Sequence, residues 1–118
     1  MANRFSRDDG RAVRKKSAYD ELDVGVVAPY PAGSPEAFEV RAFTYKDGRV
    51  DEDPVTGSLN ASLAQWLLAT GRARTPYVAR QGTALGRAGR IRISQDPDGA
   101  VWVGGRCSTW IRGEAELE

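Results

Sequence analysis

Three acidic residues stand shortly before a strongly apolar segment, and their types and spacing could support proton transfer. Residues 51–53 read Asp-Glu-Asp, residues 54–58 read Pro-Val-Thr-Gly-Ser, and the apolar segment follows over residues 59–69. If that segment is a helix, a carboxylate lies beside a helix N-terminus, where the first backbone N–H groups have no partner within the helix. Such an end attracts anions because the free donors and the macrodipole act together. Residues 51–58 therefore form a candidate site with an acid/base and an anion-binding end.

Asp53 is the candidate catalytic residue of this segment. The residue before a proline favours extended backbone, which keeps Asp53 outside the helix but beside its first turn. A general base must come within hydrogen-bond distance of the proton that it removes. The alternative is that Asp53 only caps the turn by accepting a hydrogen bond from one of the free N–H groups.

Thr56, Gly57 and Ser58 are the candidate substrate-binding residues. No Glu or Gln stands three positions after Thr56 or Ser58, so no capping box occupies the N–H groups of the first turn. Gly57 lets a ligand approach the backbone closely. The hypothesis is that these N–H groups and the Ser58 hydroxyl hold a substrate carboxylate. The alternative is an ordinary helix entry, which the same residues would serve.

The elements that position this site are predicted to be short strands around one helix. Alternation and β-branched runs predict strands at residues 24–27, 38–44, 77–80, 90–95, 100–104 and 108–117. Turns are predicted at residues 46–49 and 96–99. The helix is predicted over residues 58–70, and its small polar face indicates burial nearly all round. A buried helix in a mostly β chain implies an α+β fold in which strands wrap around the helix.

Composition excludes several classes of protein. A length of 118 residues suggests one domain, or a domain with a tail. The net charge of +1 gives no reason to expect binding to nucleic acid or to an anionic membrane. No apolar run approaches the roughly 20 residues that span a bilayer, and no signal peptide opens the chain. Cys107 is the single cysteine and the chain has no histidine, so we expect a cytoplasmic protein without zinc or haem.

Residues 1–17 differ in character from the rest of the chain. Six basic side chains stand among small and polar residues, with two sizeable hydrophobic ones. We predict a flexible basic tail. The alternative is an arm that binds nucleic acid or an acidic partner.

Three further features have an ordinary structural interpretation and a functional one. The glycine-rich residues 81–89 lack the lysine and the following helix of a phosphate loop, so they are predicted to connect two strands. Trp66, Trp102 and Trp110 are expected to be core or interface anchors rather than a ligand stack. Cys107 is expected to be a small packed strand residue rather than a nucleophile.

Residues 52–58, followed by Leu63 and Ala64, resemble the hallmark of the PhzF-like (phenazine biosynthesis-like) isomerase family. Further segments occur in the family's order. These are residues 40–43, 81–82, 86–91 and 101–105. Together the segments cover roughly residues 18–118, and they are similar to the C-terminal half of that family only. The domain division expected is a tail at 1–17 and one half-domain at 18–118.

The resemblance implies a diaminopimelate-epimerase-like fold, in which a mixed, mostly antiparallel sheet curls into a barrel around a central helix. It also implies cofactor-independent proton-transfer isomerisation of a small carboxylated metabolite, in a cleft between two similar halves. Asp53 matches the aspartate of the second half, and Gly57 and Ser58 match its ligand contact. The first half would supply a glutamate and a histidine. Leu59 and Asn60 stand where many relatives carry a small residue and then a histidine.

The resemblance therefore leaves two hypotheses open. In the first, the site is completed by a homodimer or by a complementary half-domain. Exchange of identical elements is a low-cost route to dimers. In the second, the chain is a non-catalytic carboxylate-binding or assembly protein, or an inactive fragment, since it has no histidine.

Overall fold

The alternating patterns of the sequence form one sheet and one helix. The computed structural model describes residues 4–5, 12–16 and 22–118. Within these residues there are eight strands and one α-helix. In chain order they are β1 Arg4–Phe5, β2 Ala12–Lys16, β3 Leu22–Pro29, β4 Phe38–Lys46, β5 Arg49–Asp53, α1 Gly57–Ala69, β6 Tyr77–Gln81, β7 Gly89–Gln95 and β8 Val101–Gly104.

The sheet is mixed and mostly antiparallel, as expected. Its order is β1-β2-β3-β4-β6-β7-β8, with β5 on β4. β4 pairs along its length with β3. Its other edge is shared, since residues 38–40 pair with β6 in parallel and residues 42–46 pair with β5 antiparallel. The α+β class is confirmed, and the helix packs against one face of the curled sheet.

The core lies between α1 and the inner face of the sheet. In β4 the buried residues are Phe38, Val40 and Ala42, which alternate as a strand with one covered face requires. Leu63 and Leu67 of α1 belong to the same core cluster as Phe38 and Val40. Each fully buried side chain of this size contributes roughly 1.5–3 kcal/mol. The rest of the core cluster is Val27, Ala64, Ala79, Ile91 and Ile93.

The helix differs from its prediction in burial rather than in position. It was predicted over residues 58–70 and forms over Gly57–Ala69. Burial nearly all round is wrong, because the sheet covers one face only. Asn60, Leu63, Ala64 and Leu67 are buried, whereas Gln65 is exposed.

Both predicted turns are confirmed. Between β4 and β5, Asp47 and Gly48 have φ of 51° and 76°, as a two-residue hairpin turn requires. Between β7 and β8, Asp96 accepts hydrogen bonds from the backbone N–H groups of Asp98 and Ala100. Gly99 takes a φ of 88° in this turn.

The predicted strand at residues 108–117 is wrong. β8 ends at Gly104, and residues 105–118 form neither helix nor strand. Strand residues need a neighbouring strand for their backbone groups, and the described part of the chain brings none to this segment. Its apolar side chains are exposed, with Trp110 at 92% and Ile111 at 90%. Cys107 is exposed here as well, so its prediction as a packed strand residue is also wrong.

Part of the predicted tail belongs to the sheet. β2 pairs antiparallel with β3, and β1 pairs with β2. The remaining residues of the predicted tail at 1–17 lie outside the described residues. A domain boundary at residue 17 stays a prediction.

Candidate functional site

Asp53 ends β5 on the inner face of the sheet. The acidic residues 51–53, for which no strand was predicted, form the last part of β5 because this strand pairs with β4. Asp53 stands opposite Ala42, whose side chain faces the core, so both lie on the inner face. The loop runs over residues 54–56 only, and α1 begins at Gly57.

Glu52 lies on the opposite face from Asp53 and forms a surface ion pair. Its two carboxylate oxygens accept hydrogen bonds from Arg41 Nε at 2.9 Å and from Arg41 Nη2 at 2.8 Å. This pairing lowers the pKa of Glu52 and raises that of Arg41. The Arg41 guanidinium also lies 4.9 Å from the ring centroid of Phe43. Glu52 therefore ties β5 to β4, and Asp53 is the acid that faces the site.

A hydroxyl and an amide hold Asp53 in place. The Thr56 hydroxyl donates a hydrogen bond to Asp53 Oδ2 at 2.5 Å. Gln81 Nε2 donates to that hydroxyl oxygen at 2.9 Å and to the Asp53 carbonyl at 3.0 Å. The carboxylate therefore belongs to a chain of hydrogen bonds that begins at β6.

Gln81 is buried with an exposure of 0%, and its amide oxygen accepts two hydrogen bonds. They come from the Thr56 N–H at 3.0 Å and from Asn60 Nδ2 at 2.9 Å. Asn60 Nδ2 also donates to the Thr56 carbonyl at 2.9 Å. A buried polar group is stable only when it is hydrogen-bonded, and here both ends of the Gln81 amide are paired. Gln81 thus joins β6, the site loop and the first turn of α1.

Two glycines allow the site loop to pack onto β6 and β7. A Cβ on Gly82, whose φ is 86°, would lie 2.7 Å from the Pro54 carbonyl oxygen. A Cβ on Gly89 would lie 2.6 Å from Val55 Cγ2 and 2.6 Å from the Gln81 carbonyl oxygen. The prediction that residues 81–89 connect two strands is confirmed, with a short 3₁₀ turn at Thr83–Leu85. This connection supports the loop that carries the site.

The first turn of α1 has no acidic side chain and no side-chain cap. Thr56 is the N-cap, with φ −123° and ψ 99°, and it makes no side-chain capping hydrogen bond. Its hydroxyl bonds to Asp53 instead. Gly57 and Ser58 open the helix and are exposed. The N-terminal end therefore faces solvent beside a carboxylate.

A cavity of about 250 Å³ lies between the start of α1 and the inner face of the sheet. It brings together three of the four predicted site residues, namely Asp53, Thr56 and Ser58. Gly57 is adjacent in the chain and does not line the cavity. The other lining residues are Asp23, Val24, Gly25, Ala42, Phe43, Thr44, Leu59 and Ser62.

Asp23, Thr44 and Gln81 were not predicted as site residues. The Thr44 hydroxyl donates to Asp23 Oδ1 at 2.9 Å, within the lining of the cavity. The sequence contained a signal for Asp23, because it lies four residues before the buried Val27 on β3. The two residues therefore face the same side of the sheet. Gln81 belongs to one of the segments that resemble the family, but no local pattern indicated its hydrogen bonds, since its partners are 21 to 28 residues away in the chain.

Two features are absent from the described part of the chain. Residues 4–5, 12–16 and 22–118 contain no group of three or more His, Cys, Asp or Glu that could hold a metal ion. No helix in these residues is long and apolar enough to cross a membrane.

Comparison with known proteins yields a family match. No curated protein and no solved structure matches the chain significantly. The family model described as phenazine biosynthesis-like protein (PhzC-PhzF) matches residues 6–113. This match begins before residue 18, where the resemblance was expected to start, and it includes β2 and the whole candidate site. The chain therefore belongs to the phenazine biosynthesis-like protein family.

Proposed function

We propose that the chain is an isomerase half-domain that moves a proton within a small carboxylated metabolite. No cofactor takes part, and the reaction takes place in a cleft between two half-domains in the cytoplasm. Asp53 is the acid/base, and Thr56, Gly57 and Ser58 hold the substrate carboxylate. The observation that carries this proposal is the cavity in which Asp53 lies beside the uncapped start of α1.

The positions of these residues support the chemistry proposed for them. The N-terminal end of a helix stabilises a surface anion by roughly 0.3–1 kcal/mol, and by up to about 2 kcal/mol when the anion is partly buried. That interaction orients a carboxylate but does not break a bond. Asp53 takes a proton from one carbon, and the electron pair of that C–H bond forms a new double bond to the neighbouring carbon. The electron pair of the original double bond then takes a proton back from the protonated Asp53 at another carbon. Positioned acids and bases contribute about 10² to 10⁴ in rate.

The second half of the cleft is proposed to come from another copy of this chain. Family members have two similar halves, and two copies could reproduce them with two Asp53 loops facing one cleft. The exposed segment at residues 105–118 supports this arrangement, because Trp110 and Ile111 would be covered in an assembly. In such an assembly the fold would be the diaminopimelate-epimerase-like barrel, with α1 covered on its second side.

Turnover tests the catalytic part of the proposal. A trans-2,3-dihydro-3-hydroxyanthranilate-type substrate is incubated with the wild type, with Asp53→Asn and with Asp98→Asn. The last variant makes the same change in the exposed β7–β8 turn. We expect the turnover rate of Asp53→Asn to be about 10² to 10⁴ times lower than that of the wild type, and the rate of the control to match the wild type. Equal rates in all three proteins would remove Asp53 from the mechanism.

Mass in solution tests the assembly. Sedimentation equilibrium over a wide range of protein concentration should show a dimer. A monomer at every concentration would leave no composite cleft, and the catalytic proposal for the isolated chain would then fail.

A second function is favoured by the absence of histidine from the sequence. The chain would bind small carboxylates at the same helix end without converting them. Small carboxylates should then raise the midpoint of thermal unfolding, Ser58→Ala should reduce that shift, and no turnover should be measured. Turnover that depends on Asp53 would exclude this function.

A further inference from the structure

Both hydrogen-bond donors of Thr56 already have partners within the protein. Its N–H donates to Gln81 Oε1 at 3.0 Å, and its hydroxyl donates to Asp53 Oδ2 at 2.5 Å. The same hydroxyl oxygen accepts from Gln81 Nε2 at 2.9 Å. A hydroxyl has one hydrogen to donate, and a backbone N–H has one as well. Thr56 therefore has no donor left for a substrate carboxylate.

Backbone groups fix the direction of these hydrogen bonds. A backbone N–H only donates, so the end of the Gln81 amide that faces the Thr56 N–H must be the oxygen. A backbone carbonyl only accepts, so the end that faces the Asp53 carbonyl at 3.0 Å must be the NH₂ group. That group also donates to the Thr56 hydroxyl oxygen, which leaves the hydroxyl hydrogen for the Asp53 carboxylate. Gln81, which is fully buried, thus directs the Thr56 hydroxyl onto Asp53.

The next three N–H groups along the chain can hold a ligand carboxylate. They belong to Gly57, Ser58 and Leu59 in the first turn of α1, and none of them donates to another described residue. The N–H of Asn60 already donates to the Thr56 carbonyl at 3.1 Å. Unpaired N–H groups at the start of a helix attract anions. Thr56 differs from these three residues because its donors point into the protein.

We propose that Thr56 is a positioning residue, whose hydroxyl holds Asp53 Oδ2 so that Asp53 Oδ1 exchanges the proton with the substrate. This inference rests on the proposed function and changes one assignment in it, since the substrate carboxylate is held without Thr56. The C–H bond of the substrate breaks, an O–H bond forms at Oδ1, and the electron pair of the C–H bond forms the new double bond. Oδ2 keeps its hydrogen bond from Thr56, so the carboxyl group keeps its orientation.

Steady-state kinetics with the trans-2,3-dihydro-3-hydroxyanthranilate-type substrate separates positioning from binding. Thr56→Val keeps the side-chain shape and the N–H but removes the hydroxyl. We expect its kcat to fall by about 10- to 100-fold, because a misplaced catalytic group costs about that much, while KM stays unchanged. Thr56→Ser retains the hydroxyl and should restore kcat. Thr70→Val should match the wild type, since the exposed Thr70 hydroxyl donates to the Trp66 carbonyl at the other end of α1.

Binding of benzoate provides a second measurement, which does not require turnover. Benzoate should raise the midpoint of thermal unfolding of Thr56→Val as much as that of the wild type, whereas Ser58→Ala should show a smaller rise. A higher KM with unchanged kcat in Thr56→Val, or a benzoate shift as small as that of Ser58→Ala, would overturn the inference and leave the proposed reaction intact. Unchanged kcat and KM in Thr56→Val would also overturn it. Absence of turnover in the wild type would contradict the proposed reaction and this inference together.

Discussion

Gln81 is the residue on which the geometry of the candidate site depends. Its amide makes four hydrogen bonds. The oxygen accepts from the Thr56 N–H and from Asn60 Nδ2, and Nε2 donates to the Thr56 hydroxyl and to the Asp53 carbonyl. These bonds join the end of β5, the site loop and the first turn of α1 to β6. Because the Thr56 hydroxyl accepts from Gln81 and donates to Asp53, a change at Gln81 would also release the carboxylate.

We expect Gln81→Leu to lower the free energy of unfolding by about 3 kcal/mol. The substitution leaves buried donors and acceptors without partners, and each such group costs about 1–3 kcal/mol. Urea denaturation followed by tryptophan fluorescence measures the change. Gln95→Leu is the matched control, since the exposed Gln95 makes one hydrogen bond to the Gly99 carbonyl. The control should change stability by about 0.5 kcal/mol or less. Equal losses in both variants would contradict the role of the Gln81 amide.

Tyr77 should make stability sensitive to alkaline pH. Burial raises the pKa of Tyr77 from 10.0 to about 12. The unfolded chain therefore ionises this phenol first, so its contribution is complete below pH 10 and is lost as pH rises toward 12. Tyr77→Phe keeps the edge-to-face contact with Phe38, whose ring centroid lies 5.3 Å away. Urea denaturation at pH 9 and at pH 11.5 measures how much the free energy of unfolding falls between these pH values. This fall should be smaller in Tyr77→Phe than in the wild type. Tyr45→Phe, at an exposed position, should lose as much as the wild type.

At the scale of elements, the contact between α1 and β3 depends on a glycine. A Cβ on Gly25 would lie 2.4 Å from Leu59 Cδ1 and 2.8 Å from Leu59 Cδ2. Gly25 therefore provides the space that the Leu59 side chain occupies. The two positions should therefore be coupled.

We expect Gly25→Ala to destabilise the protein by about 1–3 kcal/mol, because the added methyl group overpacks this contact. Leu59→Ala in the same chain should relieve much of that cost. A double-mutant cycle by urea denaturation measures the coupling, which should exceed about 0.5 kcal/mol. Gly113→Ala is the control, since a Cβ there meets nothing within 4 Å. Additive effects of the two substitutions would show that they are independent.

Local sequence patterns predicted most of the strands and the helix. The features that they missed depend on which distant segments pair in the sheet. β4 and β7 were predicted because apolar and polar residues alternate along them, and the turn at residues 96–99 has its own residue preferences. The start of α1 and the position of Asp53 followed from a short motif. Asp23 lies in the same cavity as Asp53 because β3 and β5 both pair with β4. The periodicity of a sequence does not show which strands are neighbours. Residues 108–117 have a strand-like pattern but no neighbouring strand in the described part of the chain.

At the scale of the whole molecule, two parts of the described chain expose large apolar side chains. β8 is a terminal strand of the sheet order, and Trp102 on it is 62% exposed. The segment at residues 105–118 continues from β8 with Trp110 and Ile111 nearly fully exposed. Large apolar side chains grouped on a surface mark interaction sites. This surface supports the proposal that a second copy completes the cleft.

The double variant Trp110→Ser/Ile111→Ser should weaken self-association without weakening the fold. With exposures of 92% and 90%, these side chains contribute little to the monomer, and surface changes of this kind usually alter stability by about 0.5 kcal/mol or less. In a dimer they would be buried, so their loss should raise the dissociation constant at least about tenfold, since buried aromatic anchors cost 2 kcal/mol or more when removed.

Sedimentation equilibrium over the same range of protein concentration for wild type and variant measures this effect. Val50→Ser is the control, since Val50 on β5 is 66% exposed and lies outside the segment. It should leave the dissociation constant unchanged. Unchanged association of the double variant would mean that the copies meet elsewhere. The segment at residues 105–118 would then not contribute to the cleft that the proposed reaction requires.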